Sequence, residues 1–228
     1  MKSIGLTGCP TDLLLSLSAE LRTHGLRVAA VRQGDISISS LVDPEITRHI
    51  PQLVLSSEEN TVFLSEGGST FDDIARLLNA DLLLVEGFED RRTFPRLVCP
   101  GAAVTKNTLS GLELCAIGDA PADLGIPVLT DISEIAELVR RSAFSLAGLD
   151  CGKCGFQSCH DLAVEIVRGE KSEKDCLALH SDIEITIGGE PLPLVPFISE
   201  LIRKVILGIL STLKGAGPGT VEIRMEQD

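Results

Sequence analysis

Four of the seven cysteines crowd into residues 151–176, and this cluster constrains the chain more than any other feature. Three of them belong to the run Cys-Gly-Lys-Cys-Gly-Phe-Gln-Ser-Cys over residues 151–159, and the fourth follows after sixteen further residues. The two glycines of this run allow the backbone to turn tightly enough for three thiolates to face one side. Iron–sulfur clusters need four soft thiolates that converge on a small metal–sulfide core. The pattern therefore predicts an iron–sulfur cluster bound by Cys151, Cys154, Cys159 and Cys176.

Structural zinc is an alternative for the same four cysteines, because zinc also binds four thiolates. Zinc sites more often combine two Cys-x-x-Cys pairs, whereas this segment has one pair and a staggered third cysteine. Cysteines buried together by coincidence are the remaining alternative. Residues 160–168 are predicted to be a short helix, whose positive N-terminal end would favour thiolates beside it. Because four thiolates complete a ligand set, we expect His160 to be a surface residue.

Composition excludes several classes of function. A formal net charge of −13 argues against binding to nucleic acid, because displacing counterions needs a basic surface. We find no basic start, apolar run and cleavage site early in the chain, so we expect no secretory signal. The longest apolar stretch near the end, residues 205–210, is too short to span a membrane. These features predict a soluble, cytoplasmic protein that does not bind nucleic acid and has no membrane span.

Strand-like and helix-like segments alternate through the first part of the chain. Apolar runs predict strands at residues 3–7, 26–31, 53–57, 60–65, 81–86, 114–118 and 127–130. Helical spacing predicts helices at residues 12–23, 71–78 and 133–142, the second capped by Ser69 or Thr70. Strands that alternate with helices form a mostly parallel sheet covered on both faces. The predicted fold class is therefore α/β.

The composition changes around residues 143–148, which suggests three parts. Residues 1–146 form the α/β domain, residues 147–180 the four-cysteine domain and residues 181–228 a tail. The tail is predicted to be a β-β-α-β unit, with strands at 183–187, 190–194 and 221–225 and a helix over 196–214.

The first predicted strand runs into a glycine-containing turn and a helix, which is where a phosphate-binding loop would lie. The working motif, Gly-x-x-x-x-Gly-Lys-Ser/Thr, cradles phosphates with backbone amides and uses its lysine and hydroxyl for charge and Mg²⁺. Without gaps only Gly5 matches, and a one-residue deletion would also align Gly8 and Thr11. The lysine is missing in either alignment, and Asp12 would repel a phosphate. Cys9, within this loop, is either a reactive thiol near a helix N-terminus or a quiet, half-buried cysteine, and we favour the second.

The order of these segments, ending in Asp-Leu-Leu-Leu-Val-Glu-Gly-Phe at residues 81–88, resembles the molybdopterin-guanine dinucleotide biosynthesis protein B (MobB) family over residues 1–140. That resemblance implies a P-loop NTPase-like sheet with Gly5, Gly8, Thr11 and Glu86 around a GTP–Mg²⁺ site. Glu86 would be the acid on the Mg²⁺ side, and a solvated carboxylate at a strand end is the alternative. Two further residues, Arg48 and His49, would face the same cleft or the surface.

The four-cysteine segment resembles the small [4Fe–4S] domain of the corrinoid iron–sulfur protein and of the B subunit of Rnf-type electron-transport complexes. This second resemblance covers about thirty residues and implies a [4Fe–4S] cluster without implying a substrate.

Together the two resemblances imply an iron–sulfur accessory or adaptor protein in molybdenum- or tungsten-cofactor biosynthesis, with weak or lost GTP hydrolysis. Molybdopterin is then a candidate ligand, maturation proteins of molybdo- or tungstoenzymes or a redox protein are candidate partners, and a homodimer is a candidate assembly. An electron-transfer or metallocentre-maturation protein that reuses the P-loop fold is the alternative, since a fold does not determine a function. A conventional GTPase with an unusual loop is the third hypothesis.

Overall fold

The part of the chain that the structure describes contains ten strands and five helices, numbered in chain order. The strands are β1 (Lys2–Thr7), β2 (Val28–Arg32), β3 (Gln52–Ser56), β4 (Thr61–Ser65), β5 (Leu82–Glu86), β6 (Arg96–Val98), β7 (Glu113–Ile117), β8 (Val128–Leu129), β9 (Thr186–Ile187) and β10 (Glu190–Pro191). The helices are α1 (Thr11–Thr23), α2 (Phe71–Leu77), α3 (Ile132–Ser142), α4 (Cys159–Val167) and α5 (Pro196–Leu210). The computed structural model describes residues 1–33, 52–56, 61–65, 71–99, 104–179, 183, 185–187, 190–192, 194–214, 219 and 221–223.

Six strands form a parallel sheet in the order β2-β5-β1-β6-β7-β8. The apolar run Leu82–Val85 of β5 is buried throughout, as expected for a strand covered on both faces. This sheet, with helices packed against it, confirms the predicted α/β fold class. The sequence prediction missed β6, which has only three residues and begins with an arginine directly after a proline.

Strands β3 and β4 pair only with each other among the described residues, as an antiparallel hairpin. Four residues separate them, a connection that suits a hairpin and is too short for a parallel crossover. The sequence predicted both strands but not that they would lie outside the parallel sheet.

Helices α1 and α3 cover one part of the sheet with the apolar residues that their periodicity predicted. Leu17 and Leu21 of α1 are buried against the sheet. The Asp131 carboxylate caps α3 by accepting hydrogen bonds from the backbone amides of Ser133 and Glu134. The proposed caps of α2, Ser69 and Thr70, lie outside the described residues.

The four-cysteine segment packs against the α/β part and shares a core with it. This shared core combines residues from both parts: Leu112, Phe144, Leu146, Cys159, Leu162, Ala163, Cys176 and Ala178. Gly111, with φ +87°, lies so close to α4 that a Cβ atom there would be 3.1 Å from the Val164 side chain. The segment therefore does not have a core of its own.

The tail contains β9 and β10, paired antiparallel, followed by α5. Helix α5 ends at Leu210, four residues earlier than the predicted helix. Residues 221–223 form no strand, and Val221 and Ile223 are exposed, so these side chains bury no sheet face. The predicted last strand is thus wrong for the residues that the structure describes there. Among the described residues, no helix is long and apolar enough to cross a membrane.

Candidate metal centre and phosphate loop

The four predicted cysteine ligands line one small cavity. Its wall combines the four cysteines with mainly apolar residues: Ala147, Leu149, Gly152, Ser158, Leu162, Leu177 and Ala178. Cys159 and Cys176 are buried, whereas Cys151 and Cys154 are partly exposed. No three His, Cys, Asp or Glu side chains of the described residues meet closely enough to hold a single metal ion. The cysteines thus surround a common space without meeting at one point.

The loop before α4 takes its shape from residues in the left-handed region. Gly152 has φ +69° and Gly155 has φ +89°, values that favour glycine. Asp150 also adopts a positive φ, +43°, which costs energy for a residue with a side chain. Its carboxylate accepts a hydrogen bond from the Cys159 backbone amide at 2.6 Å. Asp150 therefore fixes the start of the loop to Cys159, the first residue of α4, a role that the sequence analysis missed.

The first turn of α4 faces the cavity, with Ser158, Cys159 and Leu162 in its wall. Ser158 and Asp161 form a capping box, in which each side chain accepts a hydrogen bond from the other residue's backbone amide. Cys159 is the first residue of the helix, one position earlier than predicted. Burial raises the pKa of the Cys159 thiol, so its thiolate needs a compensating positive charge. A metal–sulfide cluster supplies that charge, and the soft donor set and the cavity therefore fit such a group.

His160 is not a free surface residue, which corrects the sequence-based expectation. Its ring is half-buried, and Nε2 lies 2.9 Å from the Ser110 carbonyl oxygen. The first turn of α4 carries this ring towards the loop before β7, where it joins the four-cysteine segment to the α/β part.

The phosphate-loop residues cluster around Arg32, which the sequence analysis overlooked. Thr11 Oγ1 accepts a hydrogen bond from Arg32 Nη2 at 2.9 Å, and the Arg32 Nε lies 2.5 Å from Glu86 Oε2. Arg32 and Glu86 are partners in the β2–β5 register, which is the signal that could have identified this arginine. Its guanidinium engages both groups that would hold Mg²⁺, so a Mg²⁺ ion at this position would have to displace Arg32.

Gly5 and Gly8 make close contacts within the protein. Gly5 lies inside β1, and a Cβ atom there would be 2.8 Å from Cγ of the buried Arg96 side chain. Gly8 has φ +66°, and its Cβ would be 2.9 Å from the Cys99 carbonyl oxygen. The structure therefore joins Thr11 and Glu86 through Arg32, whereas Gly5 lies within β1 opposite Val85, the residue before Glu86. The cleft candidates Arg48 and His49 lie outside the described residues.

Cys9 is buried, with 8% of its surface exposed, and its thiol donates a hydrogen bond to the Thr7 carbonyl oxygen at 3.6 Å. The half-buried thiol that the sequence analysis favoured is thus more deeply enclosed than expected.

Comparisons with known proteins give a family match for the four-cysteine segment and a relative for most of the chain. Residues 146–178 match the family described as "Putative Fe-S cluster", which supports an iron–sulfur cofactor. The chain is 28% identical over 178 residues to the "Putative molybdopterin-guanine dinucleotide biosynthesis adapter protein" of Methanocaldococcus jannaschii, covering 76% of this chain and 73% of that protein.

Solved structures of MobB proteins also resemble the chain. One molybdopterin-guanine biosynthesis protein B (mobB) has a TM-score of 0.48 and 21% identity, covering 61% of this chain and 98% of its own. The Bacillus subtilis MobB has a TM-score of 0.47 and 14% identity, covering 62% of this chain and 97% of its own. The sequence relative and the family match confirm the resemblances: the chain is MobB-like and carries a segment similar to an iron–sulfur family.

Proposed function

We propose that the protein is an iron–sulfur accessory protein, an adaptor, in the biosynthesis of the molybdopterin-guanine dinucleotide form of the molybdenum or tungsten cofactor. The observation that carries this proposal is the cavity lined by all four cysteines of the segment that matches an iron–sulfur family. The MobB-like sequence that precedes this segment connects the cluster with molybdenum-cofactor biosynthesis, since the relative is described as a molybdopterin-guanine dinucleotide biosynthesis adapter protein.

Cys151, Cys154, Cys159 and Cys176 are the proposed ligands, and a [4Fe–4S] cluster is the proposed group. When bound, such a cluster supplies one-electron redox chemistry or structural support, and four thiolates leave no open iron position for catalysis. The chain's own residues have distinct roles around it. Asp150 and the first turn of α4 hold the Cys159 backbone, and Leu162 and Leu149 exclude water from the cavity wall.

GTP hydrolysis is proposed to be weak or lost. Arg32 engages the Thr11 hydroxyl and the Glu86 carboxylate, so a Mg²⁺ ion would have to displace this guanidinium. The loop also lacks the lysine that neutralises phosphate charge in working phosphate loops. Without nucleotide turnover, the proposed role is binding: molybdopterin as ligand, and maturation proteins of molybdo- or tungstoenzymes or a redox protein as partners.

An electron-transfer or metallocentre-maturation protein is the second candidate. Cys151 and Cys154 are partly exposed, and the neighbouring Leu177 is 49% exposed. A cluster held at this wall of the cavity would lie near the surface, where a redox partner can approach it.

Anaerobic purification followed by iron, sulfide and zinc analysis and EPR tests the metal centre. We expect about four irons per chain. Cys154→Ser and Cys176→Ser should lose most of the iron, whereas Cys115→Ala, at a buried cysteine on β7, should retain it. Stoichiometric zinc, or fewer than about three irons in the wild-type protein, would overturn the cluster assignment.

Titration with GTP and with a molybdopterin ligand separates the functional candidates. Molybdopterin binding without GTP binding supports the adaptor role. Binding of neither, together with a reversible redox couple, supports electron transfer. Mg²⁺-dependent GTP turnover that Glu86→Gln abolishes would support a conventional GTPase and contradict the proposal.

A further inference from the structure

Cys9 and Cys99 lie side by side at the ends of two neighbouring parallel strands. Thr7 of β1 is the register partner of Val98 of β6, and each cysteine follows shortly after one of these residues. The Cys99 amide donates a hydrogen bond to the Thr7 carbonyl oxygen at 2.9 Å. Because Gly8 has no side chain, its backbone can approach the Cys99 carbonyl oxygen closely. The two loops are thus held together by backbone contacts that do not depend on the thiols.

The two cysteines also belong to one apolar cluster, in which Cys9 is buried and Cys99 packs against the buried residues. The Thr7 carbonyl oxygen accepts hydrogen bonds from the Cys99 amide and, at 3.6 Å, from the Cys9 thiol, so it brings the two residues together. They differ in exposure, since Cys9 is buried whereas Cys99 is half-buried and reachable from solvent. Redox-active cysteine pairs usually combine one thiol that solvent can reach with a second, enclosed thiol. The first thiol reacts with the oxidant, and the second then resolves the mixed disulfide.

We propose that Cys9 and Cys99 form a dithiol site that closes reversibly to a disulfide, linking the phosphate loop to the end of β6. The site is separate from the four cysteines of the metal centre and does not depend on the proposed function. Its co-reactant is a small-molecule disulfide of the glutathione type.

The electrostatics of the pair agree with this assignment. The neighbouring Cys9 thiol lowers the pKa of the Cys99 thiol, whereas the neighbouring Cys99 thiol and burial raise the pKa of Cys9 above its usual range. Cys99 is also the more exposed of the two thiols, so it is the one that attacks, while Cys9 keeps its proton until the second step.

The oxidation consists of two thiol–disulfide exchanges. The Cys99 thiolate attacks one sulfur of the small disulfide, forms a mixed disulfide and releases one small thiolate. Cys9 then loses its proton to solvent and attacks the Cys99 sulfur, which releases the second small thiolate. Two electrons and two protons have passed from the pair to the co-reactant, which is reduced to two thiols.

Cys115 provides a control within the same core. It is fully buried on β7, beside Leu97 of β6 in the register. Burial raises the pKa of its thiol to about 11, so it stays protonated and out of reach of the oxidant. In the described part of the chain, no three His, Cys, Asp or Glu side chains lie close enough together to hold one metal ion. Cys9, Cys99 and Cys115 therefore do not form a mononuclear metal site.

Peptide mapping of the full-length, cluster-loaded protein tests the proposal. The protein is equilibrated anaerobically in glutathione buffers of stepped potential, alkylated, digested with trypsin and analysed by mass spectrometry. Cleavage after lysine and arginine places Cys9, Cys99 and Cys115 in three separate peptides, residues 3–22, 97–106 and 107–140. We expect a linked peptide of 3–22 with 97–106, which dithiothreitol reverses. Its ratio to the reduced pair should change about tenfold for each step of about 30 mV, the response of a two-electron couple.

Variants and the metal-centre peptides complete the experiment. Cys99→Ala should abolish the link, whereas Cys115→Ala should leave it unchanged. Peptides 142–153 and 154–168, which carry three cluster cysteines, should stay unlinked while the visible absorbance of the cluster persists. The proposal is overturned if no 9–99 link forms, if Cys99 stops at a glutathione adduct, or if the link joins Cys99 to Cys115. Iron content is measured separately. A failure of the disulfide proposal would therefore not affect the proposed iron–sulfur function.

Discussion

The Arg32 guanidinium joins the Thr11 hydroxyl to the Glu86 carboxylate, with Nε 2.5 Å from Glu86 Oε2. In the resemblance to MobB, these two side chains would hold the Mg²⁺ of a bound nucleotide. Here an arginine from β2 supplies the positive charge instead. Arg32 therefore neutralises the Glu86 carboxylate at the carboxyl end of the sheet, which agrees with the proposed weak or lost GTP hydrolysis.

The energy of this contact can be measured with a double-mutant cycle on Arg32→Ala and Glu86→Gln. Arg32 is about half exposed, so screening limits the pair to a coupling of about 0.5–1 kcal/mol. Urea unfolding of the two single variants and the double variant gives this value. The exposed Arg140–Glu137 pair on α3 is the matched control and should give about 0.3–0.5 kcal/mol. A coupling near zero at Arg32–Glu86 would show that the contact does not persist in solution.

Arg96 is expected to be a structural arginine. It is buried, and Nη2 donates hydrogen bonds to the carbonyl oxygens of Phe88 and Arg91, each at 2.8 Å. Arg96→Met would leave both carbonyls of the β5–β6 loop without this donor, at a cost of about 2–4 kcal/mol in the free energy of unfolding. Arg140→Met, at an exposed site, should change it by less than about 0.5 kcal/mol. Equal effects of the two substitutions would contradict the role assigned to Arg96.

Gly111 is expected to be required for docking α4 on the α/β part. Gly111→Ala combines the strain of φ +87° with a Cβ contact of 3.1 Å to Val164. Gly118→Ala, at φ +85° with nothing within 4 Å, introduces the strain alone. We expect a loss of about 1 kcal/mol for Gly118→Ala and about 1–2 kcal/mol more for Gly111→Ala, measured by chemical unfolding. If both variants lose the same stability, the contact with α4 is not important.

The cluster is expected to stabilise the shared core locally. In Cys176→Ser, which removes a proposed ligand and places a hydroxyl in that core, amides of residues 146–178 should exchange faster with deuterium. Amides of β5 and β1 should keep wild-type protection, because these strands pack with α1 and α3 in a different core. Exchange measured by mass spectrometry checks both regions, and uniform acceleration across the chain would contradict this picture.

Asp81 should make stability depend on pH in the acid range. Hydrogen bonds from the Arg27 side chain lower the pKa of Asp81 from 3.8 to about 2. A lowered carboxyl pKa stabilises the fold at pH values above the unfolded-state pKa, and this contribution is lost as the pH falls through about 2. The difference in thermal midpoint between wild type and Asp81→Asn should therefore be constant above about pH 5 and shrink between about pH 4 and 2.

Cluster-free protein, prepared with a chelator, is suited to that measurement because acid releases iron. A gap between wild type and Asp81→Asn that widens towards pH 2 would show that the ion pair with Arg27 is not formed.

The sequence alone determined the features that depend on local spacing. Apolar runs and helical spacing predicted nine of the ten named strands and the five helices to within a few residues, because the period of a strand or helix depends on neighbouring positions in the sequence. The cysteine spacing likewise predicted a thiolate cluster, because turn formation by glycine and metal binding by thiols depend on residue type and spacing. The resemblance to MobB rested on the order of these segments, which is also a property of the chain itself.

Tertiary structure decided the features that depend on strand order and on contacts between distant residues. Three-residue β6 has no periodicity, and it is a strand only because β1 and β7 flank it. Arg32 meets Glu86, Cys9 meets Cys99 and His160 meets Ser110 through residues far apart in the chain. Such pairs follow from which strands and helices pack side by side, and no local pattern in the sequence encodes that choice.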